Sequence, residues 1–112
     1  MTRIDKPWGY EDILERNSAF MVKRILLHQG ERSSLQVHEH KQEWIQVEGG
    51  EIDLWIGTDV DALECRRLGE GAHYRVPPGT IHRVVAVTEC LLLEVCTPHD
   101  DDIVRLQDDY GR

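Results

Sequence analysis

Hydrophobic and polar residues alternate in short runs along this chain. In residues 51–56, Ile52, Leu54 and Ile56 fall on one side and Glu51, Asp53 and Trp55 on the other. That period of two marks a half-buried strand. Similar runs span residues 20–28, 34–40, 43–48, 63–68, 73–76, 81–85 and 90–96. Gly, Pro and Asp signals separate them, among them Gln29-Gly30-Glu31, Gly49-Gly50, Gly57-Thr58-Asp59, Gly69-Glu70-Gly71 and Pro77-Pro78-Gly79. Gly-Gly between two strand-like runs predicts a hairpin, because a two-residue turn of that type needs positive φ. No stretch of ten residues holds a 3.6 period, and residues 12–16 and 101–106 are each predicted to form one short helical turn. Short strands with turns about every 8–12 residues predict an all-β sandwich or barrel.

Within residues 90–96, Leu91, Leu93 and Val95 share a side, and Leu92 and Glu94 oppose them. If Leu92 faces the core, so does Glu94. A glutamate on so apolar a strand more often sits at a rim or in an ion pair than in a catalytic centre.

The length of 112 residues predicts a single domain over 1–112. Such a domain buries about two-thirds of the surface its unfolded chain exposes, enough for one core without disulfides. Thirteen Lys+Arg against 21 Asp+Glu give a net charge of −8. That balance excludes neutralising a run of phosphates, so no nucleic-acid partner is expected. It equally argues against an anionic membrane surface. No apolar run exceeds four residues, which leaves no transmembrane span. The first twenty residues carry Arg3, Asp5, Lys6, Glu11 and Asp12 with no apolar signal region. Cys65, Cys90 and Cys96 form no CxxC pair and read as reduced thiols, mostly small buried hydrophobes, in a cytoplasmic protein.

The chemistry concentrates in two blocks. His38 and His40 flank one residue, so an extended strand places both imidazoles on one face, where they can converge on a metal ion at about 2.0–2.1 Å each. A chain reversal after Lys41-Gln42 would bring the Glu43 carboxylate beside them. Further on, a turn at Pro77-x-Gly79 leads into a strand that starts near His82, with Val84 and Ala86 on its side.

Written out, the blocks are Gly30-x7-His38-x-His40-x2-Glu43-x6-Gly50 and Gly71-x5-Pro77-x-Gly79-x2-His82. They resemble the paired motifs of the cupin superfamily. The resemblance implies an all-β jelly-roll barrel, a double-stranded β-helix, with one divalent metal ion held by His38, His40, Glu43 and His82. The spacing from His40 to Glu43 is one or two residues shorter than in most cupins, and Ala86 stands where the second motif commonly ends in Asn. The opening Lys6-Pro7-Trp8-Gly9-Tyr10-Glu11, the segment Ser34-Leu35-Gln36-Val37-His38 and the closing run at residues 101–112 narrow the match. Together they resemble the cupin domain of type II mannose-6-phosphate isomerases. Lys41 replaces an Arg common there, and Trp44 stands where longer members place a His. The chain has no room for the sugar-nucleotide pyrophosphorylase module that many members carry, so guanylyltransferase activity is not expected.

That resemblance implies conversion between an aldose 6-phosphate and its ketose, with zinc or manganese favoured and iron, nickel or cobalt also compatible with nitrogen and oxygen donors. Glu94 is the candidate base, with Tyr74 and His73 as weaker ones. Lys23, Arg24, Arg83 and Arg105 are the cations available to clamp a phosphate, and Gln36, on the His38 face, could bond a hydroxyl. Two other classes stay open: a cupin metalloenzyme of another kind, such as an oxygenase, and a non-catalytic sugar-binding cupin. Trp8, Trp44 and Trp55 offer large apolar surfaces, and Trp55 is predicted to point outward. A homodimer is expected.

Overall fold

A computed structural model describes residues 1–99 and 102–110. Among these, every regular element is a strand: β1 (Thr2–Lys6), β2 (Gly9–Arg16), β3 (Met21–Leu27), β4 (Leu35–His38), β5 (Glu43–Gly49), β6 (Ile52–Gly57), β7 (Glu64–Leu68), β8 (His73–Val76), β9 (Ile81–Ala86), β10 (Cys90–Cys96) and β11 (Ile103–Gln107). They form two antiparallel sheets, in the orders β1-β2-β3-β10-β5-β8 and β11-β4-β9-β6-β7. No helix among the described residues is long and apolar enough to cross a membrane.

Alternation in sequence becomes alternation across each sheet. Ile52, Leu54 and Ile56 are buried on β6 while Trp55, between them, is exposed. On β10, Cys90, Leu92, Glu94 and Cys96 point inward, and Leu91, Leu93 and Val95 lie half-buried on the outer face. The core gathers Trp8, Ile25, Leu27, Ile45, Val47, Leu54 and Leu92 from both sheets. Each fully buried Leu or Ile contributes about 1.5–3 kcal/mol relative to exposure. All three cysteines are free; Cys90 and Cys96 are buried as expected, whereas Cys65 is exposed on β7.

The inward rows of four strands change character along the barrel. On β10, Leu92 gives way to Glu94; on β3, Ile25 to Lys23; on β5, Ile45 to Glu43; on β9, Val84 to His82. Register aligns the change on β10 and β3, with Leu92 opposite Ile25 and Glu94 opposite Lys23, and on β5 it comes one inward pair later, with Ile45 opposite Glu94 and Glu43 opposite Cys96. A hydrocarbon stretch of the interior therefore gives way to an ionisable one, with buried Met21 and Cys96 beyond it.

Several local expectations differ from the fold. Residues 12–16 belong to β2, and the described part of 101–106 enters β11, so neither is a helical turn; Asp101 lies outside the described residues. Both strands sit toward sheet edges with mostly exposed, polar side chains, which erases the alternation that would reveal them. Gly49-Gly50 does not close a hairpin. β5 pairs with β10 and β8, and β6 with β9 and β7, so the turn carries the chain from one sheet to the other. Gly50 has φ of 80°, and a Cβ there would lie 2.3 Å from the Glu89 carbonyl oxygen, so the corner excludes any side chain.

Candidate metal centre

His38 ends β4, Glu43 begins β5 and His82 lies near the start of β9. The two sheets bring these three together, all buried. Nε2 of His38 lies 2.7 Å from Oε1 of Glu43, and Nε2 of His82 lies 3.7 Å from the same oxygen. The rings stand 5.4 Å apart.

The far nitrogen of each ring is committed elsewhere. Nδ1 of His38 contacts the Asp102 carbonyl oxygen at 2.9 Å, and Nδ1 of His82 the Thr80 carbonyl oxygen at 3.0 Å. A carbonyl only accepts, so both Nδ1 atoms carry a proton, which leaves Nε2 as the atom of each ring that can give a lone pair to a cation. Those Nε2 atoms are buried without a hydrogen-bond partner. Two ring nitrogens and a carboxylate oxygen thus converge on one point. One ligand atom from each residue lies within 4.8 Å of the others. A divalent cation fits this donor set, and the residues supply two nitrogens and one oxygen to it.

The charges agree. Burial opposes ionisation of Glu43, but the surrounding groups, with the Lys41 ammonium the fixed cation among them, hold its carboxyl below the usual range. Burial lowers the His82 pKa and keeps the imidazole neutral, as ligation requires.

His40 is not part of this cluster. Strand β4 stops at His38, so the two-residue periodicity no longer applies, and the His40 side chain is 68% exposed beside His99. Lys41 turns inward in its place. Its Nζ lies 3.7 Å from Glu43 Oε1 and 4.0 Å from Glu94 Oε2. Glu94 also faces Lys23 at 3.9 Å, and Lys23 faces Glu11 at 3.5 Å. The result is a row of alternating charge, Glu11–Lys23–Glu94–Lys41–Glu43, running along the inside of one sheet to the histidines. Burial first, and then the Glu43 charge, push the Glu94 carboxyl up to about 8.

This row and the histidines line a cavity of about 160 Å³, together with Gln36, Lys6 and Arg105. The side chains of Lys6 and Arg105 make no hydrogen bond or ion pair among the described residues. Of the other expected site residues, Arg83 faces away. It follows inward-pointing His82 on β9, so parity turns it outward, where it donates to the Ser33 carbonyl at 2.9 Å and the Gln107 carbonyl at 3.4 Å. Arg24 is outside too, paired with Glu48. His73 stacks near Trp44 on the outer face, and Tyr74 packs against the core. Lys6, Glu11, Lys41 and Asp102 were not expected at the site. Inward parity on β2, set by Gly9 opposite buried Leu27, is the one signal that could have found Glu11.

A family model described as mannose-6-phosphate isomerase C-terminal matches residues 1–108. The xanthan biosynthesis protein XanB of Xanthomonas campestris is 34% identical over 116 aligned positions, covering 98% of this chain and 24% of that protein. The mannose-1-phosphate guanylyltransferase of Escherichia coli K12 is 32% identical, covering 96% of this chain and 22% of its own length. The chain thus spans about a quarter of the length of these relatives. The solved structure of KdgF from Halomonas sp. superposes with a TM-score of 0.79 at 22% identity, covering 91% of this chain and 92% of that one.

Proposed function

Since this chain belongs to the mannose-6-phosphate isomerase C-terminal family of cupins, we propose that it is a metal-dependent aldose–ketose isomerase of sugar phosphates, with mannose 6-phosphate the first substrate to test. The observation that carries the reading is the buried Glu94 carboxyl in the same cavity as the His38–Glu43–His82 donor set. His38, Glu43 and His82 would hold one divalent ion, zinc or manganese by preference, which when bound would polarise the substrate carbonyl as a Lewis acid.

The chain's own groups do the rest. Gln36 lies where it can bond a substrate hydroxyl, and Lys6 and Arg105 are the unpaired cations that could receive a phosphate. Lys23 lines the same cavity with its charge shared between Glu11 and Glu94. Glu94 as carboxylate takes the proton from C2, and the electron pair left behind forms the C1–C2 double bond of an enediolate. A hydroxyl proton passes from O2 to O1, and Glu94 returns its proton at C1. A raised pKa makes Glu94 a stronger base once ionised. The Lys41 ammonium, between Glu94 and Glu43, favours that ionised form.

Turnover in deuterated water tests the reading. Metal-loaded protein should label C2 of the aldose, and chelation should stop it. No labelling or interconversion across a panel of hexose and pentose phosphates would sink the isomerase. Tight binding without turnover would then favour a sugar-binding cupin.

One observation favours a second reading. With His40 outside, the donor set is two histidines and one carboxylate, the arrangement that leaves open positions in non-haem iron oxygenases. Oxygen uptake by iron-loaded protein would support it. Assembly completes the proposal: exposed Trp55 on β6 and the half-buried Leu91, Leu93 and Val95 on β10 support a homodimer.

A further inference from the structure

We propose that Asp102 is a positioning residue for the His38–Glu43–His82 site, clasping with its carboxylate the turn that delivers Lys41 and fixing with its carbonyl the orientation of His38. The inference rests on the metal-site part of the proposed function and not on the reaction.

The chain leaves β4 at His38 and re-enters a sheet at Glu43. Of residues 39–42 between them, Gln42 is tied to Thr97, whose hydroxyl accepts its N–H and whose N–H donates to its carbonyl, each at 3.0 Å, while residues 39–41 lie outside any strand pairing. Asp102 supplies the missing partner from the far end of the sequence. Its Oδ1 accepts from the Glu39 N–H at 3.2 Å, and its Oδ2 from the His40 N–H at 2.5 Å and the Lys41 N–H at 2.9 Å. Three successive N–H groups converging on one carboxylate form a backbone nest around an anion. Its geometry dictates which way the next side chains leave: His40 outward and Lys41 into the cavity.

The backbone of the same residue holds His38. Asp102 precedes β11, whose first residue, Ile103, pairs with His38. That register sets the Asp102 carbonyl 2.9 Å from His38 Nδ1. The carbonyl contact depends on strand pairing, whereas the nest depends on the side chain. Substitution at Asp102 therefore separates the two, because β11 pairing does not use its carboxylate.

The test titrates Zn²⁺ alone into the full chain and its Asp102→Ala and Asp102→Asn variants by calorimetry. Asp102→Ala leaves the carbonyl on His38 in place and frees only the turn, so the Lys41 ammonium is no longer held against Glu43 and zinc should bind more tightly, by up to about tenfold. Asp102→Asn, which keeps an acceptor oxygen without the charge, should lie between it and the wild type. Amide hydrogen exchange at residues 39–41 in metal-free protein should quicken in Asp102→Ala while β4 and β11 amides stay protected. Nitrogen chemical shifts of His38 should keep the Nδ1-protonated form in both variants. A residue that merely stabilises the fold would lower the melting temperature and leave both zinc affinity and the local exchange pattern unchanged, and that result overturns the proposal. Because exchange is read without metal and affinity without substrate, a protein that binds zinc but turns over nothing leaves the proposal intact and fails only the isomerase.

Discussion

Nζ of Lys41 lies 3.7 Å from Oε1 of Glu43, the same oxygen that faces both histidines. A fixed monovalent cation and a bound divalent ion would thus draw on one carboxylate. Lys41→Met removes the repulsion between them. At the separations of this cavity such a charge is worth at least about 1.4 kcal/mol, so zinc should bind about tenfold or more tightly. Calorimetric titration of both proteins reads this directly. Equal or weaker binding by Lys41→Met would mean that the ammonium supports the metal instead of opposing it.

Three side chains and not four should govern metal uptake. His38→Ala and His82→Ala each remove a buried nitrogen donor and should weaken zinc binding by at least about 100-fold, while His40→Ala changes it by less than about threefold. Circular dichroism should show the β-rich fold intact in all three, since the core cluster of Trp8, Ile25, Leu27, Val47, Ile52 and Leu54 contains none of these side chains. A His40→Ala loss as large as that of His82→Ala would restore the four-ligand expectation.

Glu94 makes stability depend on pH in a defined direction. Its folded pKa is raised to about 8, against about 4.3 in an unfolded chain. The stability from its neutral form is complete below the lower value and is lost as pH rises through the upper one. His82, lowered by burial, contributes with the opposite sign. The comparison with Glu94→Gln isolates the carboxyl. In metal-free protein the variant should gain melting temperature relative to wild type at pH 8 but not at pH 4. A difference independent of pH would place the Glu94 proton elsewhere.

The assembly expectation has a simple readout. Light scattering at tens of micromolar should return twice the mass of a single chain. A monomer mass would leave Trp55 as an isolated exposed aromatic.

The barrel and most of the candidate donor set were legible because they obey parity. Ile52, Leu54 and Ile56 announce a buried face, and the turn at Pro77-x-Gly79 announces His82. Glu94 follows from Leu92, as its burial bears out. His40 was misplaced because parity was carried two residues past the end of β4, into a turn whose course is set 62 residues later by Asp102. Arg83 was misplaced for the opposite reason, since parity from His82 already turned it outward. Lys41 left no signal: a lysine in a turn ordinarily points to water, and only the nest directs it inward. The edge strands β1 and β11 and β1's neighbour β2 were hidden because β1 has a single apolar residue and the apolar residues of β2 and β11 include consecutive pairs, Ile13-Leu14 and Ile103-Val104, which leaves no period of two to read.

The change from hydrocarbon to ionisable residues along β3, β5, β9 and β10 divides the interior of this barrel. The residues that fill the core and those that bring charge inside occupy different positions on the same strands, so the two can vary independently. Positions 11, 23, 41 and 94 form a palette on a fixed frame. Recombining neutral and charged residues there should yield many folded barrels with altered ligand preference, whereas equal freedom at Leu27, Val47, Ile52 and Leu54 should yield few that fold at all.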